Sequence, residues 1–283
     1  MPELPEIEVL RRSLEPHLVG DRFVRAEVRD PRLRERVRPR ELAALSGRAI
    51  RGLGRRSKYL LIHADGKGDG GRGRTLVVHL GMSGRLTLVG RKAPAEAHEH
   101  VVLFLGSGRQ LRFRDPRRFG LVRVVATDGL ERDPHFAGLG LEPLGTLIGG
   151  DLTGEALARA ARGRRGPVKS FLMDAGALVG VGNIYATESL FRAGVHPLRS
   201  VARLSPARWE RLAAAVVAVL RQAIGQGGTT LNDFADGEGR SGYFQVSLSA
   251  YGREGEPCPT CGTPIRRIVQ SGRSTYYCPR CQR

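Results

Sequence analysis

The first strong pattern along the chain is helical. Over residues 4–18, Ile7, Leu10 and Leu14 fall on one face while Arg11 and Arg12 point elsewhere, and Pro5 suits a first helical turn. From about residue 20 to 125 the pattern becomes strand-like. Residues 23–28, 85–89 and 121–125 alternate apolar and polar positions, and residues 59–62 and 76–78 are apolar runs of strand length. Between those two runs, Gly66 to Arg74 is a stretch of Gly, Lys, Arg and Asp that has nothing to pack, which predicts a hairpin loop. Residues 126–150 are punctuated by Gly and Pro and read as a linker. Helical patterns then dominate to about 225. The clearest runs from Ser205-Pro206, an N-cap followed by a first-turn proline, through the stripe Trp209, Leu212, Val216, Leu220 and Ile224, and stops at Gly225. The Gly-rich residues 226–247 predict a long loop, a length at which loops are usually functional or disordered. The chain shows no internal repeat.

Composition bounds the function classes. The 283 residues suit two modest domains or one large domain with an appendage, and 41% hydrophobic residues suffice for real cores. The 46 Lys plus Arg against 28 Asp plus Glu leave a formal charge of +18, which favours a polyanionic partner. Arginine-rich proteomes also drift basic, so charge alone does not select nucleic acid. The longest apolar run, residues 212–220, is too short to span a bilayer, and the first twenty residues lack the apolar block of a signal peptide. These features exclude a membrane span and predict an intracellular protein.

All four cysteines fall in the last 26 residues, as Cys258-x2-Cys261 and Cys278-x2-Cys281 with 16 residues between the pairs. In an intracellular chain that spacing predicts a four-thiolate zinc ribbon rather than disulfides. Two residues between cysteines let a tight turn aim both sulfurs at one ion, and Gly262 follows the first pair where the knuckle needs a permissive backbone. Four thiolates fill a tetrahedral ion, so one structural zinc is expected. Between the pairs lie Arg266, Arg267, Arg273, Tyr276 and Tyr277, a basic hairpin with aromatics.

The opening Met1-Pro2-Glu3-Leu4-Pro5-Glu6 carries a second chemistry. Initiator Met is commonly removed before a small residue, which would leave Pro2 as a secondary amine. Terminal amines titrate near 7.7–8.0 in reference peptides, so a useful fraction is neutral at pH 7. With Glu3 and Glu6 beside it, such an amine has the equipment for Schiff-base chemistry. Taken alone, the segment also suits a plain helix start with acids at its positive end.

The rest of the chain decides between these. It resembles the bacterial formamidopyrimidine-DNA glycosylases, members of the helix–two-turn–helix glycosylase superfamily, over essentially its whole length. The resemblance rests on the PELPEIE opening, on Arg55-Arg56-Ser57-Lys58-Tyr59-Leu60-Leu61, and on His79-Leu80-Gly81-Met82-Ser83-Gly84. It continues in Asp115-Pro116-Arg117-Arg118-Phe119-Gly120, in Val181-Gly182-Asn183-Ile184-Tyr185-Ala186, and in Tyr251-Gly252-Arg253-Glu254-Gly255 leading into the zinc ribbon.

The resemblance implies an α+β fold: an N-terminal β-sandwich with a leading helix, then a helical helix–two-turn–helix domain carrying a zinc-ribbon hairpin. The expected boundaries are 1–130 for the catalytic sandwich, 131–150 for the linker, 151–248 for the helical domain with a lesion-capping loop, and 249–283 for the finger. It implies a cleft for double-stranded DNA containing oxidised bases, a monomer, and a bacterial, cytoplasmic, nucleoid-associated location. By the same resemblance Pro2 attacks the sugar, Glu3 is the general acid/base, and Lys58 contacts phosphate and assists elimination. Arg273 grips phosphate from the finger. His98, Arg117, Arg164, Lys169 and Asn183 are implied DNA contacts, with Met82, Arg117 and Phe119 filling the void left by an extruded base. Position 164 departs from the family's lysine. Taken alone, Met82 and Phe119 read equally as core. Two rivals remain: a catalytically silent zinc-ribbon nucleic-acid binder, and an endonuclease-VIII type enzyme acting on oxidised pyrimidines.

Overall fold

A computed structural model describes residues 2–66, 71–145, 150–228 and 248–283. Met1, the centre of the Gly66–Arg74 loop, residues 146–149 of the expected linker and most of the 226–247 loop lie outside the described residues. The chain divides into two compact units. One takes in residues 2–137 with Gly227 and Gly228, the other residues 138–226 and 248–283 of the described chain.

The first unit opens with helix α1 (Leu4–Leu18), followed by β1 (Phe23–Val28), a short helix α2 (Pro39–Ala43), β2 (Ile50–Arg56), β3 (Tyr59–Ala64), β4 (Arg74–His79), β5 (Arg85–Val89), β6 (Glu99–Leu105), β7 (Gln110–Arg114) and β8 (Leu121–Ala126). The strands form two four-stranded antiparallel sheets in the orders β1-β6-β7-β5 and β2-β3-β4-β8. Alternating side chains of both sheets share one core. Phe23, Val101, Leu103, Leu111 and Phe113 come from the first sheet, Leu60, Ile62, Leu76, Val78 and Val122 from the second, and Ile7, Leu10, Leu14 and Leu18 of α1 join them. This is the sandwich with its leading helix.

The expected strands are all present, and β3 and β4 pair as the hairpin expected around the Gly66–Arg74 segment. Strands β2, β6 and β7 and helix α2 are additions. The first part of the 126–150 stretch is not a free linker. Residues Thr127–Arg132 form a 3-10 turn, Asp133 pairs with Arg123 at 3.1 Å, and the buried Phe136 packs against Tyr59 with ring centroids 5.1 Å apart. An aromatic anchor and ion pairs together hold this Gly- and Pro-punctuated segment on the sandwich.

The second unit holds α3 (Gly154–Ala160), α4 (Val168–Leu172), α5 (Asn183–Ala193) and α6 (Pro206–Gly225), then the hairpin β9 (Arg266–Gln270) and β10 (Arg273–Tyr277). The α6 stripe is buried as expected, with Trp209 edge-on to Phe171 at 5.6 Å. Helix α5 ends at Gly194 in the left-handed region, φ 67°.

Candidate functional site

The N-terminal residues are held by the start of α1. Glu3 takes the N-cap position, and the Glu6 carboxylate accepts from the Glu3 amide at 2.7 Å in a capping box. Both glutamates are buried while Pro2 is half-exposed, so a carboxyl group is fixed one residue from the proline nitrogen. Helix α1 lies along β2, with Arg11 donating to the Leu53 carbonyl at 3.4 Å and Glu8 pairing with Arg55 at 3.5 Å. Arg56 pairs with Tyr59 across the β2–β3 turn, leaving Ser57 and Lys58 as its two-residue tip. Ser57 takes the left-handed φ of 56° that such a tight hairpin demands. The half-buried Lys58 is thus presented from rigid sheet rather than from a loose loop.

His79, at the end of β4, sits against Tyr59 with ring centroids 4.9 Å apart. Burial, with the charges of Arg34 and Lys58 nearby, holds it down to about 4. It is therefore neutral at physiological pH, and its Nδ1 accepts from the Gly81 amide at 3.0 Å, shaping the turn that carries Met82. Met82 is 37% exposed and Phe119 44% exposed, which removes the core alternative for both. The Arg117 guanidinium lies over the Phe119 ring, 5.1 Å from its centroid. His98 is exposed, with a left-handed φ of 65°. Its loop is pinned by Arg112, which donates to the carbonyls of Ala93 and Pro94 at 2.7 and 2.6 Å, and by Arg114, which donates to Ala97 at 2.7 Å.

In the second unit Asn183 begins α5 after the Val179-Gly180-Val181-Gly182 turn, where Gly180 has φ 78°. The helix N-terminus leaves amide donors for an anion. The Asn183 side chain is already engaged. It donates to the Ser274 carbonyl of β10 at 3.0 Å and accepts from Lys169 at 2.5 Å. Lys169 departs from expectation. It is 1% exposed, and its ammonium also donates to Thr275 Oγ1 at 2.6 Å, so it cannot present its charge to a phosphate directly. It instead ties the start of α5 to the finger hairpin. Arg164 is exposed, pairs with Asp174 and covers the Phe171 ring at 5.7 Å. Arg273 is exposed just after the Ser271-Gly272 turn, where both residues have positive φ.

The four cysteine sulfurs lie within 4.8 Å of one another, with Cys258–Cys281 at 3.9 Å and Cys261–Cys278 at 3.5 Å. Thiolates on one tetrahedral zinc stand about 3.8 Å apart, so the set fits that ion. Hydrogen bonds from the Thr263 hydroxyl and amide bring Cys261 down to about 6, while burial and the neighbouring sulfurs push Cys281 up to about 12. A divalent cation relieves that crowding. Gly262 has φ 73°, as the knuckle requires. The finger's own core is only Cys258, Ile265 and Cys278 with a few half-buried neighbours.

One residue escaped the sequence reading. Glu188 on α5 is buried and accepts from the amides of Ser249, Ala250 and Tyr251 at 2.9, 3.0 and 2.8 Å, anchoring the entry to the finger. A carboxylate on the apolar face of an amphipathic helix was its only signal.

A β-sandwich beginning with Pro-Glu, a helical unit with a glycine-rich turn before a helix, and a four-cysteine hairpin together define a DNA-repair glycosylase with a zinc finger. Family models match in the same order: the formamidopyrimidine-DNA glycosylase N-terminal domain over residues 1–122, the formamidopyrimidine-DNA glycosylase H2TH domain over 139–235, and the zinc finger found in FPG and IleRS over 255–283. The chain is 49% identical to the formamidopyrimidine-DNA glycosylase of Acidithiobacillus ferrooxidans over 283 residues and 50% identical to that of Halorhodospira halophila over 284, with both chains covered completely in each case. Among solved structures it is similar to Lactococcus lactis Fpg in complex with abasic-site DNA, at 31% identity and a TM-score of 0.85 over 99% of both chains. The same values hold for its complex with Fapy-dG DNA, over 99% of this chain and 100% of that one. The chain belongs to the formamidopyrimidine-DNA glycosylase family. No helix among the described residues is long and apolar enough to cross a membrane.

The finger yields a direct expectation. Cys278→Ser releases zinc and disorders the hairpin, while Arg273→Ala retains zinc but weakens DNA binding by roughly tenfold, the worth of one charge-assisted hydrogen bond. Zinc content, binding and strand-cleavage assays separate the two. If Arg273→Ala matches wild type in binding and cleavage, the finger is only a structural appendage. Affinity also falls with salt, with a log–log slope of about −5 if five or six phosphates are contacted.

Proposed function

We propose that this chain is a bifunctional glycosylase and abasic-site lyase that removes 8-oxoguanine and formamidopyrimidines from double-stranded DNA in base excision repair. It acts as a monomer carrying one zinc, in the bacterial cytoplasm with the nucleoid. The Pro2 nitrogen forms a bond to the sugar's anomeric carbon as the glycosidic bond breaks and the base leaves. The sugar ring then opens: the proline nitrogen loses its proton, the C1′–O4′ bond breaks with a proton delivered to O4′, and the iminium so formed acidifies the C2′ proton. Removal of that proton expels the 3′ phosphate, and a second elimination expels the 5′ phosphate. Hydrolysis of the imine then returns the free amine. Glu3 moves protons at the sugar, Lys58 and Arg273 hold the flanking phosphates, and the amides at the start of α5 add a further anion site. His98, Arg117 and Arg164 are DNA contacts. Asn183 and Lys169 act by fixing the α5 start against the hairpin.

Met82, Arg117 and Phe119 fill the space of the extruded base. The cost of unstacking is met in part by an apolar wedge. The observation that carries this reading is that Pro2-Glu3 and the exposed Met82, Arg117 and Phe119 belong to one folded unit. A catalytically silent zinc-ribbon binder needs neither. End-labelled duplexes bearing 8-oxoguanine test the reaction. Both new ends are expected to carry phosphates around a one-nucleotide gap. A released base with an uncut strand would limit the chain to glycosylase activity.

A further inference from the structure

Met82 lies on the turn of residues 80–84, whereas Arg117 and Phe119 lie on that of residues 115–120. A wedge works only if these two turns keep one spacing. Asp115 sits between them, 0% exposed. Its Oδ1 accepts from the Ser83 hydroxyl at 2.6 Å and from the Arg117 amide at 3.3 Å, and its Oδ2 accepts from the Gly120 amide at 2.7 Å. The Ser83 hydroxyl in turn accepts from the Arg117 amide at 3.2 Å. Backbone contacts fix where the carboxylate starts. The Asp115 amide donates to the His98 carbonyl at 3.0 Å, and His100 Nε2 lies 2.9 Å from the Asp115 carbonyl. The turns also touch through glycine. A Cβ on Gly81, at φ 64°, would stand 2.4 Å from the Phe119 carbonyl carbon.

We infer that Asp115 is the positioning residue of the wedge: its carboxylate joins the Met82 turn to the Arg117–Phe119 turn as one rigid body, and base extrusion depends on it although it is shielded from DNA. The inference rests on the wedge reading of the proposed function. The chemistry asks for a carboxylate here. Three donors converge on two oxygens, and an asparagine would turn an N–H toward at least one of them, leaving a buried donor without an acceptor. A merely structural role would lower every activity together. A wedge-positioning role acts where a base must be unstacked and much less where none is present.

The test compares single-turnover excision from an 8-oxoguanine–cytosine duplex with cleavage of a preformed abasic site in the same sequence. A 2-aminopurine beside the lesion reports unstacking by its fluorescence. Asp115→Asn is expected to slow excision by about 10- to 100-fold and to delay the fluorescence rise, while abasic cleavage falls only a few-fold. Ser83→Ala removes the two hydrogen bonds that the Ser83 hydroxyl makes to the other turn and should show the same selectivity at about tenfold or less. It also decides the question should Asp115→Asn fail to fold. The double variant Met82→Ala with Phe119→Ala sets the signature of a lost wedge. If that double variant excises normally, the wedge reading itself fails. If it shows the signature while folded Asp115→Asn or, failing that, Ser83→Ala excises at the wild-type rate, Asp115 does not position the wedge. Equal losses on both substrates in a folded variant overturn the inference as well.

Discussion

Incubated with an 8-oxoguanine duplex and borohydride, protein that begins at Pro2 is expected to gain a reduced covalent adduct on the proline nitrogen. The chemistry requires a secondary amine: an imine formed from it carries a fixed positive charge, with no proton to lose from nitrogen. Protein retaining Met1 has an amide nitrogen at Pro2 and should give no adduct there. Pro2→Gly is expected to lower strand cleavage by on the order of 10²-fold or more, at least the lower end of what one positioned proton-transfer group contributes. DNA binding should largely remain, because the proposed phosphate contacts, Lys58 and Arg273, do not involve the Pro2 nitrogen. Trapping should rise with pH as the terminal amine gives up its proton, since only the neutral form attacks. In the proposed reaction the proton is exchanged by the Glu3 carboxylate one residue away, which is buried and fixed in its capping box with Glu6. Intact mass followed by peptide mapping reads the result. An adduct mapped to Lys58 in native enzyme would falsify the assignment of the nucleophile.

What the sequence showed and what it hid follow from range. Helix α1, the α6 stripe and the strands at 23–28, 59–64, 74–79, 85–89 and 121–126 are legible because their apolar spacing is local. Strand β7, with its Gln110 and Arg112, is not, because the buried Arg112 is satisfied by Gln110 together with Glu99 on β6, at 2.9 Å, and loop carbonyls it meets after folding. Strand β6 is buried on both faces and shows little alternation. The cysteine spacing announces its own chemistry, since ligands to one ion carry their geometry in their separation. Lys169 shows the opposite limit. The resemblance implies a DNA contact at Lys169, yet its ammonium is spent on Asn183, Thr275 and Ser274, partners 14 to 106 positions away. Met82 and Phe119 were ambiguous for a related reason: an exposed wedge and a core residue use the same side chains, and only burial separates them.

Excision of 8-oxoguanine opposite cytosine is expected to run well ahead of excision of the same lesion opposite adenine and of thymine glycol. The opening gives the first ground. The resemblance separates oxidised-purine enzymes, which typically open PELPE, from the endonuclease-VIII type, which opens PEGPE, and here position 4 is Leu, fully buried at the start of α1. The wedge gives the second. Arg117 is exposed beside Phe119 on a turn whose backbone Asp115 binds, and in the proposed reading its guanidinium meets the orphaned base. Cytosine offers two adjacent acceptors, O2 and N3, to the two N–H groups of one guanidinium edge. Adenine presents a donor beside one acceptor, and that mismatch leaves a desolvated N–H without a partner. Losing one charge-assisted hydrogen bond of this kind costs about 1.5–3 kcal/mol, or roughly 10- to 100-fold in rate. Such discrimination is chemically sensible for repair, because excision opposite a misincorporated adenine would fix a mutation. Arg117→Ala should erode the preference for cytosine more than it slows cleavage of a preformed abasic site. Single-turnover rates decide between the two lesion classes. Duplexes carrying 8-oxoguanine opposite each of the four bases are compared with a thymine-glycol duplex under the same conditions, and faster release of thymine glycol than of 8-oxoguanine opposite cytosine would make this an enzyme for oxidised pyrimidines.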